Sequence, residues 1–217
     1  MSETKIMIAV PCMDMVPAQF ASSLAMLQKG ANITAVAFQI GSLVWTARDA
    51  LASQAIKSEA DYVLWLDSDM VFDPDTLLRL LEHAAPDTIV TGMYFRRVQP
   101  YSPVLYDKLE IDEGGKVETE QTKEIPEGLQ EKAGCGFGCV LTPVDAFVEV
   151  IASCRQLFAP ITGLGEDLSF CWRARQCGYK ILVDPSIPLG HVGYQVITKP
   201  FFEAFRRQND TRDIGKD

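Results

Sequence analysis

Short apolar runs alternate with longer amphipathic segments in the first third of the chain. The apolar runs lie at Lys5–Val10, Ile33–Ile40 and Tyr62–Leu66, and each has the length of a β-strand. Between them, Ala18–Lys29 places apolar residues on one face of a helix, and a second predicted helix ends at Ser58. The order strand, helix, strand, helix, strand predicts a parallel sheet covered by helices, with right-handed crossovers.

The pattern continues through the rest of the chain with shorter and more varied segments. Residues 107–131 are polar and acidic around Gly114-Gly115, which indicates a hairpin or a mobile loop but not a linker to a new domain. The other predicted elements are a helix over Pro74–Glu82, a strand over Thr88–Gly92, a strand over Val140–Thr142, a helix over Pro143–Ser153, a helix over Glu166–Cys177, a strand over Lys180–Val183 and a helix over Pro200–Arg207.

Glycine and proline residues predict where several of these elements end. Pro11 is expected to stop the first strand, and Asp184-Pro185 to close the strand that precedes it. Gly30 is expected to end the first helix, and Gly41-Ser42 to turn the chain after the second strand. The polar tail Gln208–Asp217 is expected to be frayed.

The composition is that of an ordinary globular protein, with 217 residues of which 47% are hydrophobic and 23% charged. This length favours one large domain, which we expect over residues 1–195, with a helix and tail over 196–217. The net charge of -9 argues against non-specific nucleic-acid binding. No stretch approaches the roughly 20 apolar residues of a membrane span, and the N-terminus lacks the ordering of a secretory signal. Together with six scattered cysteines, expected as reduced thiols, these features predict a cytoplasmic protein.

The third strand delivers two carboxylates to its C-terminal end, in Asp67-Ser68-Asp69. In an extended chain, residues two apart point the same way, so Asp67 and Asp69 could converge on one divalent cation. The C-terminal edge of such a strand is also where open α/β sheets bind ligands. The alternative is that both aspartates stabilise the turn before Asp73-Pro74, which would be a purely structural role.

Two later segments also carry candidate chemistry. Glu166 and Asp167 begin a predicted helix, where acidic residues can simply complement the helix dipole. His191 is one of two histidines and follows Gly190, although an isolated histidine is more often structural than a ligand. The three glycines of segment 134–138 suggest that backbone packs closely against a ligand or another part of the chain.

In this order along the chain, these segments resemble a known family. Asp67-Ser68-Asp69 follows a buried strand, Glu166-Asp167 begins a helix that leads to Gly178-Tyr179, and Asp184-Pro185 leads to Gly190-His191. The chain is therefore similar to glycosyltransferases of the GT-A fold, close to the large family 2 group and its small phage and bacterial members. The resemblance covers about residues 5–195. It implies an α/β fold with a mostly parallel, Rossmann-like sheet flanked by helices in a single domain.

The resemblance also implies roles for individual residues. Asp69 and His191 would hold Mn²⁺ or Mg²⁺, which bridges the donor diphosphate, and Asp67 would approach the ribose or the sugar directly or through the ion. Asp167 would be the general base of an inverting reaction, and Glu166 would orient Asp167 or bind the acceptor. The residues implied for nucleotide-sugar binding are Pro11, Asp14, Arg48, Asp67, Ser68, Asp69 and Gly136. The glycine-rich segment 134–138 would line the acceptor side.

The implied reaction transfers a sugar from a UDP- or GDP-linked donor to the hydroxyl of an acceptor that the sequence does not identify. A retaining reaction on the same fold uses the same aspartates and late histidine, so the stereochemistry stays open. One alternative is a nucleotidyltransferase, but the loop over Pro11–Pro17 lacks the glycine and basic residues that this class has after its first strand. The other alternative is a non-catalytic protein that binds a sugar nucleotide or a glycan.

Overall fold

The computed structural model describes residues 4–29, 32–41, 43–193 and 196–213. The predicted helix stop at Gly30 and the predicted turn residue Ser42 lie outside these described residues. The elements follow in the order β1 (Lys5–Cys12), α1 (Ala18–Met26), β2 (Asn32–Ile40), α2 (Val44–Lys57), β3 (Tyr62–Leu66), β4 (Met70–Phe72), α3 (Thr76–Leu81), β5 (Thr88–Met93), β6 (Leu105–Ile111), β7 (Val117–Gln121), β8 (Gln130–Lys132), β9 (Gly134–Cys135), β10 (Cys139–Pro143), α4 (Val144–Cys154), α5 (Glu166–Gln176), β11 (Lys180–His191) and α6 (Lys199–Asp213).

The main sheet has eight strands and is mixed. Its order is β2-β1-β3-β10-β5-β11-β4, and β8 pairs with β11. β1 pairs in parallel with β2 and β3, which confirms the parallel sheet predicted for the first third of the chain. β5 also pairs in parallel with β11. β10, however, runs antiparallel to both β3 and β5. The predicted mostly parallel sheet is therefore only partly observed.

The direction of β10 follows from where the chain re-enters the sheet. The carbonyl of Gly138, just before β10, accepts a hydrogen bond from the backbone N–H of Asp67, just after β3, at 2.9 Å. The chain thus returns from the edge at which β3 ends, so β10 has to run in the opposite direction. Nothing in its apolar sequence distinguishes this orientation, because a strand buried on both faces reads as a continuous apolar run either way.

Helices cover both faces of the sheet. Met7 and Ala9 of β1 belong to one hydrophobic core together with residues of α2, α4 and α5. Ile6, Ile8 and Val10 point to the opposite face and belong to a second core with residues of α1 and α3. This period of two along β1 is the reason that a single strand contributes to both cores.

Two predicted strand ends are wrong. β1 continues through Pro11, where it still pairs with β2. Its pairing with β3 stops at Ala9, so the missing N–H of Pro11 removes no hydrogen bond to β3. β11 continues through Asp184-Pro185, where its register against β5 shifts between Val183 and Pro188. The strand then pairs with β4 and ends at His191. A bulge therefore replaces the predicted stop and carries His191 to the edge where β3 ends.

The polar segment after β5 forms a second, smaller sheet. Its order is β7-β6-β9, and β6 and β7 are joined through a turn at Gly114-Gly115, which confirms the hairpin prediction. α6 is longer than the predicted Pro200–Arg207 and continues to Asp213 instead of fraying at Gln208. Its first turns are anchored by Phe202, which stacks on Phe95 at 4.5 Å between ring centroids.

All six cysteines lie among the described residues and are free thiols, as the sequence predicts. Among the helices of the described ranges, none is both long enough and apolar enough to span a bilayer.

Candidate active site

A cavity of about 230 Å³ opens at the edge of the sheet where β1 and β3 end. β1 contributes its last residues, α2 contributes a buried arginine, and the Asp67–Asp69 turn follows β3 directly. α5 begins at the same edge and adds Glu166. The lining residues are Pro11, Cys12, Met13, Val44, Ala47, Arg48, Asp67, Ser68, Asp69 and Glu166.

Arg48 is the structural centre of this cavity. Its side chain is 2% exposed and donates from Nη2 to Asp67 Oδ1 at 2.8 Å, while its Nε lies 3.5 Å from Glu166 Oε1. The guanidinium also sits 5.8 Å from the ring of Trp65 and 5.3 Å from that of Phe137. Aromatic faces and carboxylates together stabilise a buried cation. Arg48 therefore holds carboxylates from two distant segments of the chain beside each other.

Asp167, in the first turn of α5, has a raised pKa. Burial and the neighbouring charge of Glu166 raise the pKa of Asp167 to about 6, with Asp67 acting in the same direction. The backbone N–H of Leu168 and the guanidinium of Arg48 oppose this rise in the pKa only in part. A carboxylate of this kind is ionised near neutral pH, yet it is basic enough to accept a proton from a bound hydroxyl.

Asp69 and His191 meet on the other side of the Asp67–Asp69 turn. His191 Nδ1 lies 2.9 Å from the carbonyl oxygen of Phe95, which can only accept, so Nδ1 carries a proton. His191 Nε2 lies 3.4 Å from Asp69 Oδ2. In the neutral imidazole, Nε2 presents a lone pair to a carboxylate, an arrangement that needs a proton or a metal cation between the two atoms.

These two side chains fit a divalent cation that is completed by a ligand. The carbonyl that fixes Nδ1–H of His191 is the usual outer partner of a metal-bound histidine. Mg²⁺ commonly takes only one or two protein ligands and fills its remaining positions with phosphate oxygens and water. Asp67, the third predicted ligand, has its Oδ1 engaged by Arg48, which leaves Oδ2 as the oxygen that could approach the ion. Within the described ranges, no group of three or more His, Cys, Asp or Glu side chains is gathered for a metal.

Arg97, in the loop after β5, forms an ion pair with Asp69. Its Nη1 donates to Asp69 Oδ2 at 2.5 Å and approaches the carbonyl oxygen of Val192 at 3.3 Å. Burial pushes the pKa of Asp69 upward, but His191 and Arg97 outweigh it and hold that pKa below its ordinary value. Burial lowers the pKa of His191, but its hydrogen bonds with Asp69 and Phe95 dominate and raise it overall.

Tyr94 is a buried residue of the site that the sequence does not reveal. Its ring packs edge-on against His191 with centroids 5.5 Å apart, and its hydroxyl accepts the backbone N–H of Gly138 at 3.2 Å. A Cβ at Gly136 would lie 2.0 Å from the Tyr94 hydroxyl, and a Cβ at Gly138 would lie 2.9 Å from its ring. Tyr94 thus requires glycine at positions 136 and 138, whereas a Cβ at Gly134 would lie 2.9 Å from Leu168. Another part of the chain therefore packs against this backbone.

The cavity unites most of the residues that the sequence singled out. Pro11, Arg48, Asp67, Ser68, Asp69 and Glu166 line it. Asp167 and His191 adjoin it through their neighbours Glu166 and Asp69. Asp14 is exposed in the turn after β1 and is not a lining residue, and Gly136 is buried beneath Tyr94. Arg97 belongs to the Arg96-Arg97 pair after β5, which by its sequence could face a phosphate but is more typical of a solvated loop, whereas Tyr94 has no local signal.

Comparisons with known proteins agree with this fold. The family model named Anp1 matches residues 6–140, which is more than half of the chain and includes β1 to β10 up to Val140. No curated protein matches the chain. Among solved structures, the crystal structure of A197 from STIV is similar with a TM-score of 0.58 at 17% identity, covering 90% of this chain and 93% of that one. The likeness extends over almost the whole length of both chains and shows a shared fold.

Proposed function

The chain belongs to the Anp1 family, and we propose that it is a metal-dependent glycosyltransferase that uses a nucleoside-diphosphate sugar as donor. The Anp1 family is related to mannosyltransferases, which supports glycosyl transfer in general. The observation that carries the proposal is the single network at one sheet edge. It joins the Asp69–His191 pair, the Arg48–Asp67 pair and the basic carboxylate of Asp167.

The donor would bind in the cavity at the ends of β1 and β3. Pro11 and Ser68 line it, and Asp67, oriented by Arg48, is available to accept hydrogen bonds from ribose or sugar hydroxyls. Asp69 and His191 would hold Mn²⁺ or Mg²⁺ together with the diphosphate oxygens. The ion would supply a Lewis acid that stabilises the negative charge of the departing diphosphate.

Asp167 would activate the acceptor. An acceptor hydroxyl has a pKa far above neutrality, so a positioned base has to take its proton during attack. Because the pKa of Asp167 is raised to about 6, its carboxylate is ionised at neutral pH and still accepts a proton readily. Attack from the side opposite the diphosphate would invert the anomeric carbon. Glu166, held by the Nε of Arg48, would orient Asp167 or bind the acceptor.

The donor class can be tested by thermal stabilisation. A ligand that binds only the folded state at about 100 times its dissociation constant adds roughly 2.7 kcal/mol of stability, which raises the melting temperature by roughly 5–10 °C for a chain of this size. We expect either UDP or GDP to produce this shift in the presence of Mn²⁺ and a much smaller shift without it. Asp69→Ala is expected to remove the metal-dependent part. If no nucleoside diphosphate shifts the melting temperature with any divalent metal, the proposed donor class is wrong.

A further inference from the structure

The position of Arg97 on Asp69 has a consequence for the order in which ligands bind. We propose that Arg97 couples binding of the divalent metal to binding of the donor diphosphate. In the free protein its guanidinium holds Asp69. When metal and diphosphate bind together, the metal takes Asp69 and the guanidinium moves to the diphosphate. This inference rests on the proposed function and assigns Arg97 a role in binding the donor diphosphate.

The competition follows from one shared oxygen atom. Arg97 Nη1 and His191 Nε2 both face Asp69 Oδ2, at 2.5 Å and 3.4 Å. Because Oδ2 is the oxygen that faces His191 Nε2, a metal ion held by Asp69 and His191 would compete with Arg97 for it, and its charge would repel the guanidinium. A metal ion that binds without a diphosphate must therefore break the Arg97–Asp69 ion pair. The displaced Arg97 guanidinium then has no phosphate to pair with, so the loss of the ion pair is not compensated.

The geometry of the loop allows the side chain of Arg97 to move while the backbone stays in place. The adjacent backbone is fixed by the hydrogen bond from the N–H of Arg96 to the carbonyl of Ser102 at 3.0 Å. Phe95 stacks on Phe202 of α6 at 4.5 Å between centroids. The Arg97 side chain itself is 50% exposed. A long exposed side chain on a fixed backbone can exchange one anionic partner for another without refolding the loop.

The charge of the cavity explains why a diphosphate needs this arginine. Among the described lining residues, Asp67, Asp69 and Glu166 are acidic, and Arg48 is the single cation. Arg48 is buried and already engaged by Asp67 and Glu166. A diphosphate without a metal would therefore approach a net negative surface. The metal and the released Arg97 together reverse that balance, and an arginine guanidinium matches the geometry of phosphate oxygens.

Metal binding without turnover tests the coupling. Mn²⁺ is titrated into the protein while the paramagnetic resonance signal of free Mn²⁺ is followed, first alone and then with saturating UDP, GDP or the matching monophosphates. The wild type is expected to bind Mn²⁺ weakly alone and at least about tenfold more tightly with the diphosphate that it recognises. Arg97→Gln is expected to bind Mn²⁺ alone about fivefold more tightly, since an exposed ion pair contributes up to about 1 kcal/mol.

Arg96→Gln is the matched control, because it removes the neighbouring arginine of the same loop, which has no hydrogen bond to Asp69. The coupling between metal and diphosphate should shrink in Arg97→Gln and persist in Arg96→Gln. At saturating Mn²⁺, Arg97→Gln should also bind the diphosphate roughly tenfold more weakly. Equal Mn²⁺ affinity and equal coupling in the two variants would overturn the inference. Absence of any metal-dependent diphosphate binding in the wild type would instead overturn the proposed function.

Discussion

Asp167→Asn is expected to lower kcat for sugar transfer by about 10²- to 10⁴-fold, the range typical for loss of a general base. The amide keeps the shape of the carboxylate but accepts no proton from the acceptor hydroxyl. Since Asp167 does not line the donor cavity, the affinity for the nucleoside diphosphate should stay close to that of the wild type. The measurement is kcat for transfer, together with the affinity for the diphosphate in the presence of Mn²⁺.

Asp145→Asn provides the control for this prediction. Asp145 also lies in the first turn of a helix, but it is exposed on α4 and lines a separate depression beside Asp61. If Asp167 served only the helix dipole, the two substitutions would have similar small effects and kcat would survive both. Unchanged kcat in Asp167→Asn would also favour the alternative of a non-catalytic sugar-nucleotide binder.

The raised pKa of Asp167 should affect both the pH dependence of catalysis in the wild type and the stability of the Asp167→Asn variant. Wild-type kcat/KM should fall as the pH drops through about 6, because protonated Asp167 is no longer a base. A carboxyl group whose pKa is higher in the folded than in the unfolded state costs stability that grows as the pH rises above the unfolded value and is complete above the folded value. Asp167→Asn should therefore be more stable than the wild type at about pH 8, by roughly 1–3 kcal/mol. This gain should disappear toward about pH 4, as denaturant unfolding at the two pH values can show.

Arg48→Met should have the largest effect on stability. Removal of one partner from a buried ion pair typically costs about 3–5 kcal/mol, and methionine leaves Asp67, Glu166 and Asp167 without their shared cation. The pKa values of Asp67 and Asp167 should then rise further, so these groups would protonate at a higher pH. The destabilisation should accordingly be largest at about pH 8 and smaller at about pH 5.5, where protonation removes the unpaired charges.

Arg173→Met separates this charge effect from the simple loss of a buried arginine. Arg173 is also nearly fully buried, but it donates to the uncharged oxygens of Leu157 and Gln156. Arg173 has one carboxylate neighbour, Asp49, whereas Arg48 has three, so Arg173→Met should destabilise the fold with a weaker dependence on pH. If Arg48→Met and Arg173→Met show the same dependence on pH, Arg48 does not balance the carboxylates of the site.

The position of Asp67 and Asp69 was predictable because the sequence signals for it are local. The apolar run Tyr62–Leu66 predicts a buried strand, and that strand places Asp67 and Asp69 at the edge of the sheet. The alternation of strands and helices before it predicts the parallel pairing of β1 with β2 and β3. These features depend on hydrophobic periodicity within short windows, which a single sequence contains.

The remaining features depend on contacts between distant segments. The proline after Asp184 predicts a strand end, but a bulge in β11 carries His191 to Asp69. The burial of Arg48 between Trp65 and Phe137 joins three separate segments, and no local pattern encodes it. Tertiary pairing and packing decide such positions, because local propensity is only a weak constraint once a core forms.

The most direct test of glycosyl transfer is release of the nucleoside diphosphate from a panel of UDP- and GDP-linked sugars, with water or an added sugar as acceptor. We predict release from at least one donor only when Mn²⁺ or Mg²⁺ is present, with Asp69→Ala inactive and Asp167→Asn strongly impaired. We also predict an inverted anomeric carbon in the product, which nuclear magnetic resonance can identify. Release at the same rate from the wild type and Asp69→Ala, or no release from any donor that binds, would contradict the proposed glycosyl transfer.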